Sequence, residues 1–204
     1  MRTFDDLLRN LEMLNWDPVG HIDPCVTELL AEVGNEPALV WDFVHSWDRL
    51  GLEKRQLRCH ETTTHYKWFL HYHPQLRFKV WLHHYKPLHD RRAGYAEVPH
   101  NHRYSLASVL LRGRFVHHLF ERVDGGIEEV IAERQSYVTG DSYSVPWQRL
   151  HKLDALADHT VTMVIETPVV RNFSEAFYSD SAEPVRFYDF VELHSRLVAE
   201  MQFR

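Results

Sequence analysis

The 204-residue sequence predicts a mainly β fold, a barrel or sandwich with helices before it and one helix after it. Two observations carry this. From about residue 60 to residue 166 the apolar pattern has a period of two, in short runs divided by turn residues, as in all-β barrels and sandwiches. Residues 3–51 and 189–201 instead place apolar side chains at helical spacing. The length fits one domain. Its expected parts are a helical segment over 1–58 packed on the barrel, the barrel over 59–188, and a closing helix over 189–204.

Thr3 caps the first expected helix, with Asp5 and Asp6 in its positive first turn and Phe4, Leu7, Leu8, Leu11 and Leu14 as its stripe. Asp23-Pro24 opens a second helix, which runs to about Val33 and stops at Gly34. Pro37 opens a third, with Val40, Val44 and Trp47 on one face and Gly51 beyond its end. Strands follow over 62–73 and 78–86, with Pro74-Gln75 as the turn between them. Residues 87–98 are polar and read as a loop. Tyr104 to Arg112 alternates, Gly113 marks a turn, and 114–123 forms a strand closed by Asp124-Gly125-Gly126, a hairpin signal. Further strands are expected over 127–138, 150–153 and 160–166.

The formal net charge of −6 disfavours non-specific nucleic-acid binding. Cys25 and Cys59 are the only cysteines, too few for a disulfide framework or a CxxC metal site. The N-terminus lacks the apolar core of a signal peptide, and no apolar run approaches the ~20 residues that span a bilayer. The expectation is a reduced, cytoplasmic protein with a small-molecule partner, no nucleic acid and no membrane. Exposed aromatic strands would permit a homodimer, although nothing in the sequence fixes an interface.

Chemistry concentrates in two stretches. In Pro99-His100-Asn101-His102, two histidines one residue apart at the mouth of a strand aim both imidazoles to one face. His151 lies in a second stretch, with Gly140 and Pro146 ahead of it. Three neutral imidazoles at one point suit zinc, iron, copper or nickel. His117 and His118 are adjacent and point to opposite faces, as do His83 and His84, so surface or packing roles are expected for them.

The order HxH, a glycine at Gly113, then Gly140-x5-Pro146-x4-His151 resembles the two motifs of the cupin family, over roughly residues 60–170. The resemblance implies a jelly-roll β-barrel with a metal inside. Many metal cupins add a glutamate four or five residues after the second histidine. Leu106 and Ala107 stand there, which leaves three histidines and no carboxylate. The pattern is most similar to the three-histidine branch of thiol dioxygenases like cysteine dioxygenase. That branch implies ferrous iron binding substrate and dioxygen together. Its cysteine-recognition residues are not matched. Ala107 stands where the mammalian-type enzymes have a thioether-forming cysteine, Glu166 where they have a tyrosine, and Trp68 near their carboxylate-binding arginine.

Other residues could replace the missing contacts. Tyr104 shares the histidine face and could hydrogen-bond a metal-bound ligand. Arg112 could hold a carboxylate bidentately. Trp68, Trp81 and Trp147 could wall an apolar pocket, and Glu166 is a general base or solvent-exposed. The leading expectation is a ferrous dioxygenase acting on a small amino-acid-like or heteroatom-containing substrate. Zinc in the same triad is the alternative, as a Lewis acid. Some natural-product cupins that rearrange N-hydroxylated amino-acid esters to N–N bonds resemble that description. A ligand-binding cupin without catalysis is the third reading.

Overall fold

The computed structural model describes residues 1–17, 19–56, 58–92, 97–178 and 183–188; the expected closing helix over 189–204 lies outside them. Helix α1 (Phe4–Glu12) starts at a capping box. Thr3 Oγ1 accepts from Asp6 N–H at 3.1 Å, and Asp6 Oδ2 accepts from Thr3 N–H at 3.0 Å. Helix α2 (Pro24–Asn35) starts at Asp23, which accepts from Cys25 N–H at 3.0 Å, and it runs through Gly34 to end one residue later. Helix α3 (Ala38–His45) follows Pro37. Helix α4 (Arg49–Gln56) contains Gly51, the residue expected to end its predecessor. Asp48 Oδ1 takes the Gly51 N–H at 2.7 Å and so starts a new helix there instead.

The strands are β1 (His60–Glu61), β2 (His65–Tyr72), β3 (Lys79–Tyr85), β4 (Leu106–Arg112), β5 (Arg114–Val123), β6 (Gly126–Glu129), β7 (Gln135–Val138), β8 (Ser142–Val145), β9 (Leu150–Asp154), β10 (Val161–Glu166), β11 (Phe173–Ala176) and β12 (Val185–Tyr188). The single strand expected over 127–138 is split into β6 and β7 by a 3-10 turn at Ile131–Glu133.

One sheet has the order β1-β2-β3-β10-β4-β8, all antiparallel. In the other, β5 carries β6 and β7 along one edge and β9 along the opposite one. The chain crosses between the sheets at β4–β5, β7–β8, β8–β9 and β9–β10, the connectivity of a jelly roll. These described strands form two facing sheets rather than one closed ring.

Alternation along the strands creates two cores. Val80, Leu82, Val109, Met163 and Ile165 face outward from the first sheet and pack with Leu7, Leu11, Val26, Leu30 and Val40 of the helices. Each such side chain contributes roughly 1.5–3 kcal/mol by leaving water. Tyr85, Leu106, Leu110 and Val164 face inward and meet Phe115 and Leu153 of the second sheet. Gly113 makes the bend between β4 and β5 at φ +102°, and a Cβ there would lie 2.3 Å from Thr160 Oγ1. Only glycine fits. Among the described residues no helix is long and apolar enough to cross a membrane, and Cys25 and Cys59 are both free thiols.

Candidate metal centre

The HxH segment is not a strand. β4 begins four residues after His102, and His100 makes only isolated bridges, to His151 and to Ala176. His100 N–H donates to His151 O at 2.9 Å and His151 N–H returns a bond to His100 O at 2.8 Å, so two ligand-bearing segments are joined through their own backbones. Asn101, between the two histidines, is fastened to β11. Its N–H donates to Glu175 O at 3.0 Å, its Oδ1 accepts from Glu175 N–H at 2.9 Å, and its Nδ2 donates to Glu175 Oε2 at 3.2 Å. Arg122 and Arg171 hold that carboxylate in turn, at 2.6 and 3.2 Å.

The result is a cluster. One ring nitrogen from each of His100, His102 and His151 lies within 4.8 Å of the others. His102 Nε2 and His151 Nε2 stand 2.9 Å apart. The outer nitrogens are engaged. His100 Nδ1–H donates to Val98 O at 2.8 Å, which leaves Nε2 with its lone pair. His151 Nδ1 stands 2.8 Å from His117 Nε2; with the His151 Nε2 lone pair turned to the cluster, Nδ1 carries the proton and donates. Burial holds every ring neutral. It lowers His100 to about 4 and His117 to about 4, and it takes His102 and His151 well below the ordinary imidazole range.

These residues fit a divalent transition metal. Metal–nitrogen bonds of about 2.0–2.1 Å in a tetrahedral site put ligand nitrogens roughly 3.3 Å apart, close to the spacing of His102 and His151. The donor set is three neutral nitrogens with no carboxylate, so a bound ion keeps its charge and has open positions.

The cluster opens into a cavity of about 510 Å³, in the range for small-molecule sites. Its polar wall includes His65, Lys67, His83 and Tyr104, and its apolar wall Leu106, Leu153 and Val164. Tyr104 precedes β4, lines the cavity and stacks on His102 with ring centroids 5.4 Å apart. Its hydroxyl hydrogen-bonds Glu166. Glu166 is not solvent-exposed: it is buried at the end of β10, with Lys67 Nζ at 3.2 Å and Lys79 Nζ at 3.7 Å. Burial pushes its pKa up, but Lys67, Lys79 and Tyr104 outweigh that and hold it below the usual carboxylate range.

Four expected wall residues lie elsewhere. Arg112 is at the far end of β4, exposed, with its guanidinium on His159 O at 2.8 and 2.9 Å. Trp68 points outward from β2 toward Trp41 and Trp47 on the helical side and is 41% exposed. Trp81 lies behind Lys67, whose Nζ is 4.6 Å from its ring, and lines a separate cavity. Trp147 sits under Arg171, and its N–H is tied to Ser105 Oγ at 3.0 Å. Trp68 is turned away by strand parity, Trp147 lies in the turn before β9, and Trp81 and Arg112 lie too far along their strands from the histidine cluster.

His117 is the residue that spacing missed. It is buried on the inner face of β5 against His151, whereas His118 faces the other way and bonds Glu129 at 2.7 Å. The alternation of Phe115 with His117 is the signal that separates the two. The wall residues His65, Lys67 and His83 were missed because they converge only through the β2–β3 register, in which Lys67 pairs with His83.

No protein-family model matches the sequence, and no curated protein matches it. Among solved structures it is similar to KdgF from Halomonas sp., at 14% identity and TM-score 0.39, covering 54% of this chain and 84% of that one. It is similar to a variant of Bacillus subtilis oxalate decarboxylase at 12% identity and TM-score 0.41, covering 62% and 30%. A structure reported for the DMSP lyases RdDddP and RnDddQII gives 18% identity and TM-score 0.37, covering 50% and 47%.

Proposed function

We propose that this chain is a metal-dependent enzyme of the three-histidine cupin type, and that its favoured chemistry is that of a ferrous dioxygenase on a small heteroatom-containing substrate. One observation carries the reading. Three neutral imidazoles, with ring nitrogens within 4.8 Å of one another, open into a cavity of about 510 Å³.

Ferrous iron bound by His100, His102 and His151 would supply joint binding of a substrate heteroatom and dioxygen. The rest belongs to the protein. His100 and His151 are aimed by Val98 O and His117, so the ligand geometry is set in advance. Leu106, Leu153 and Val164 give the cavity an apolar wall. Lys67 supplies positive charge at its wall. Tyr104 holds a proton at Oη beside His102, and the ionised Glu166 fixes where that hydroxyl points.

The absence of a carboxylate from the ligand group favours zinc as a second reading, since three histidines and an open position also suit Lewis-acid chemistry. Anaerobic reconstitution with Fe(II) or Zn(II), followed by oxygen-uptake and product assays over thiols, amino acids and diketones, separates the two. Iron-dependent oxygen consumption with one of these supports the dioxygenase. Turnover by the zinc form without oxygen consumption replaces it with the Lewis-acid enzyme.

A further inference from the structure

A second cavity, of about 500 Å³, lies beside the metal centre and is lined by different residues. It is built at the turn end of the β2–β3 hairpin. Phe69 pairs with Trp81 and Tyr72 with Lys79, and the register slips between Phe69 and His71. That bulge brings Phe69 and Tyr72, three residues apart, to one face of the strand. Phe69 and Trp81 meet edge to face, with centroids 5.2 Å apart.

Three cations join these rings: Arg58, Arg77 and Lys79. Among the described residues no aspartate or glutamate lines the cavity. Lys79 reaches Glu166 at 3.7 Å, but Glu166 is already shared with Lys67 at 3.2 Å. Arg58 and Arg77 form no ion pair among the described residues, and the Arg58 guanidinium instead lies 4.7 Å from the Phe69 ring centroid. Arg77 holds φ +61°, a conformation unusual for a residue with a Cβ. Two exposed guanidinium groups without a carboxylate partner among the described residues, and three aromatic side chains around the same concavity, match a flat ligand that carries negative charge.

We propose that this cavity is a binding site for a small aromatic anion, with the ring against Phe69, Tyr72 and Trp81 and the carboxylate or phosphate on Arg58 and Arg77. It is separate from the histidine cluster: Trp81 and Lys79 line this cavity, His100, His102 and His151 the other.

Calorimetric titration of the full chain tests it, with benzoate and phenyl phosphate as probes. Benzamide removes the charge, and cyclohexanecarboxylate keeps the charge but replaces the flat aromatic ring with a saturated one. Saturable binding of the two aryl anions is expected, with both controls weaker by roughly ten-fold or more, about one charge-assisted contact. Arg58→Gln and Arg77→Gly are each expected to weaken benzoate binding by a similar factor. Arg77→Gly suits the left-handed backbone, so its loss of binding cannot be put down to unfolding. A stronger response to phenyl phosphate than to benzoate identifies the anionic group as a phosphate. Absence of saturable binding to either aryl anion, equal affinity for benzamide, or unchanged affinity in the Arg58→Gln/Arg77→Gly double variant overturns the proposal.

Discussion

His117 Nε2 lies 2.8 Å from Nδ1 of His151, inside the molecule and behind the histidine cluster. This contact fixes which nitrogen of His151 faces the cluster and how its ring is turned. His117→Phe keeps the volume and removes the acceptor. Metal affinity is expected to fall by about 10–100-fold, measured by competition with a chromogenic chelator. His118→Ala, which breaks a contact to Glu129 on the other face of β5, is expected to leave that affinity unchanged.

The same burial makes the fold acid-sensitive. His65 is lowered to about 3, and His100 and His117 to about 4, all mainly by desolvation. The unfolded chain binds protons near the ordinary value of 6.5, so between about 6.5 and 4 it holds protons that the folded state lacks. Stability therefore falls as pH drops through that window and is flat above it with respect to these groups. Each contributes about 1.4 kcal/mol per pH unit there. Urea titrations of metal-free protein from pH 7.5 to 4.5 are expected to show this slope, reduced by one proton in His117→Phe. A flat profile contradicts the buried neutral imidazoles.

Asn101 is expected to matter although it ligates nothing. Asn101→Ala leaves Glu175 N–H, inside the molecule, without its acceptor, at a cost of about 1–3 kcal/mol. Because Asn101 lies between two ligand histidines, metal affinity is expected to drop with stability. Chemical denaturation and chelator competition on the same preparation check both. Unchanged values in both contradict the clasp.

Spacing alone reveals one part of this molecule and hides another. The helical stripes, the β2–β3 hairpin and the group His100, His102 and His151 are readable because local periodicity and short motifs determine them. The strand geometry assumed for His102 and Tyr104 is not, since His100 bridges β9 and β11 while the regular strand starts only at Leu106. That error carried over to Arg112. It shares parity with the histidines, yet roughly 20 Å of extended β4 separates it from their end of the strand. His117, Lys67 and His83 depend on which strand lies beside which, and a single sequence does not state sheet register. Gly51 reads as a helix stop because the competing Asp48 cap is a turn contact.

Lys67 and Glu166 form a buried pair that removal of one partner exposes. Lys67→Met is expected to destabilise by about 2–3 kcal/mol, below the ~3–5 kcal/mol for a fully uncompensated buried charge, because Lys79 remains 3.7 Å from the carboxylate. Lys67→Met/Glu166→Gln is expected to recover much of the loss. Urea midpoints for both variants decide it. A double variant as unstable as Lys67→Met would show that packing against Trp81, not charge, is what Lys67 provides.

The most direct test is metal content by mass spectrometry, on protein purified without a histidine tag and again after anaerobic reconstitution with Fe(II) or Zn(II), beside His102→Ala. Close to one divalent metal per chain, lost in His102→Ala, is the predicted result. No metal in either protein after reconstitution, or equal metal in both, contradicts a metal centre on His100, His102 and His151.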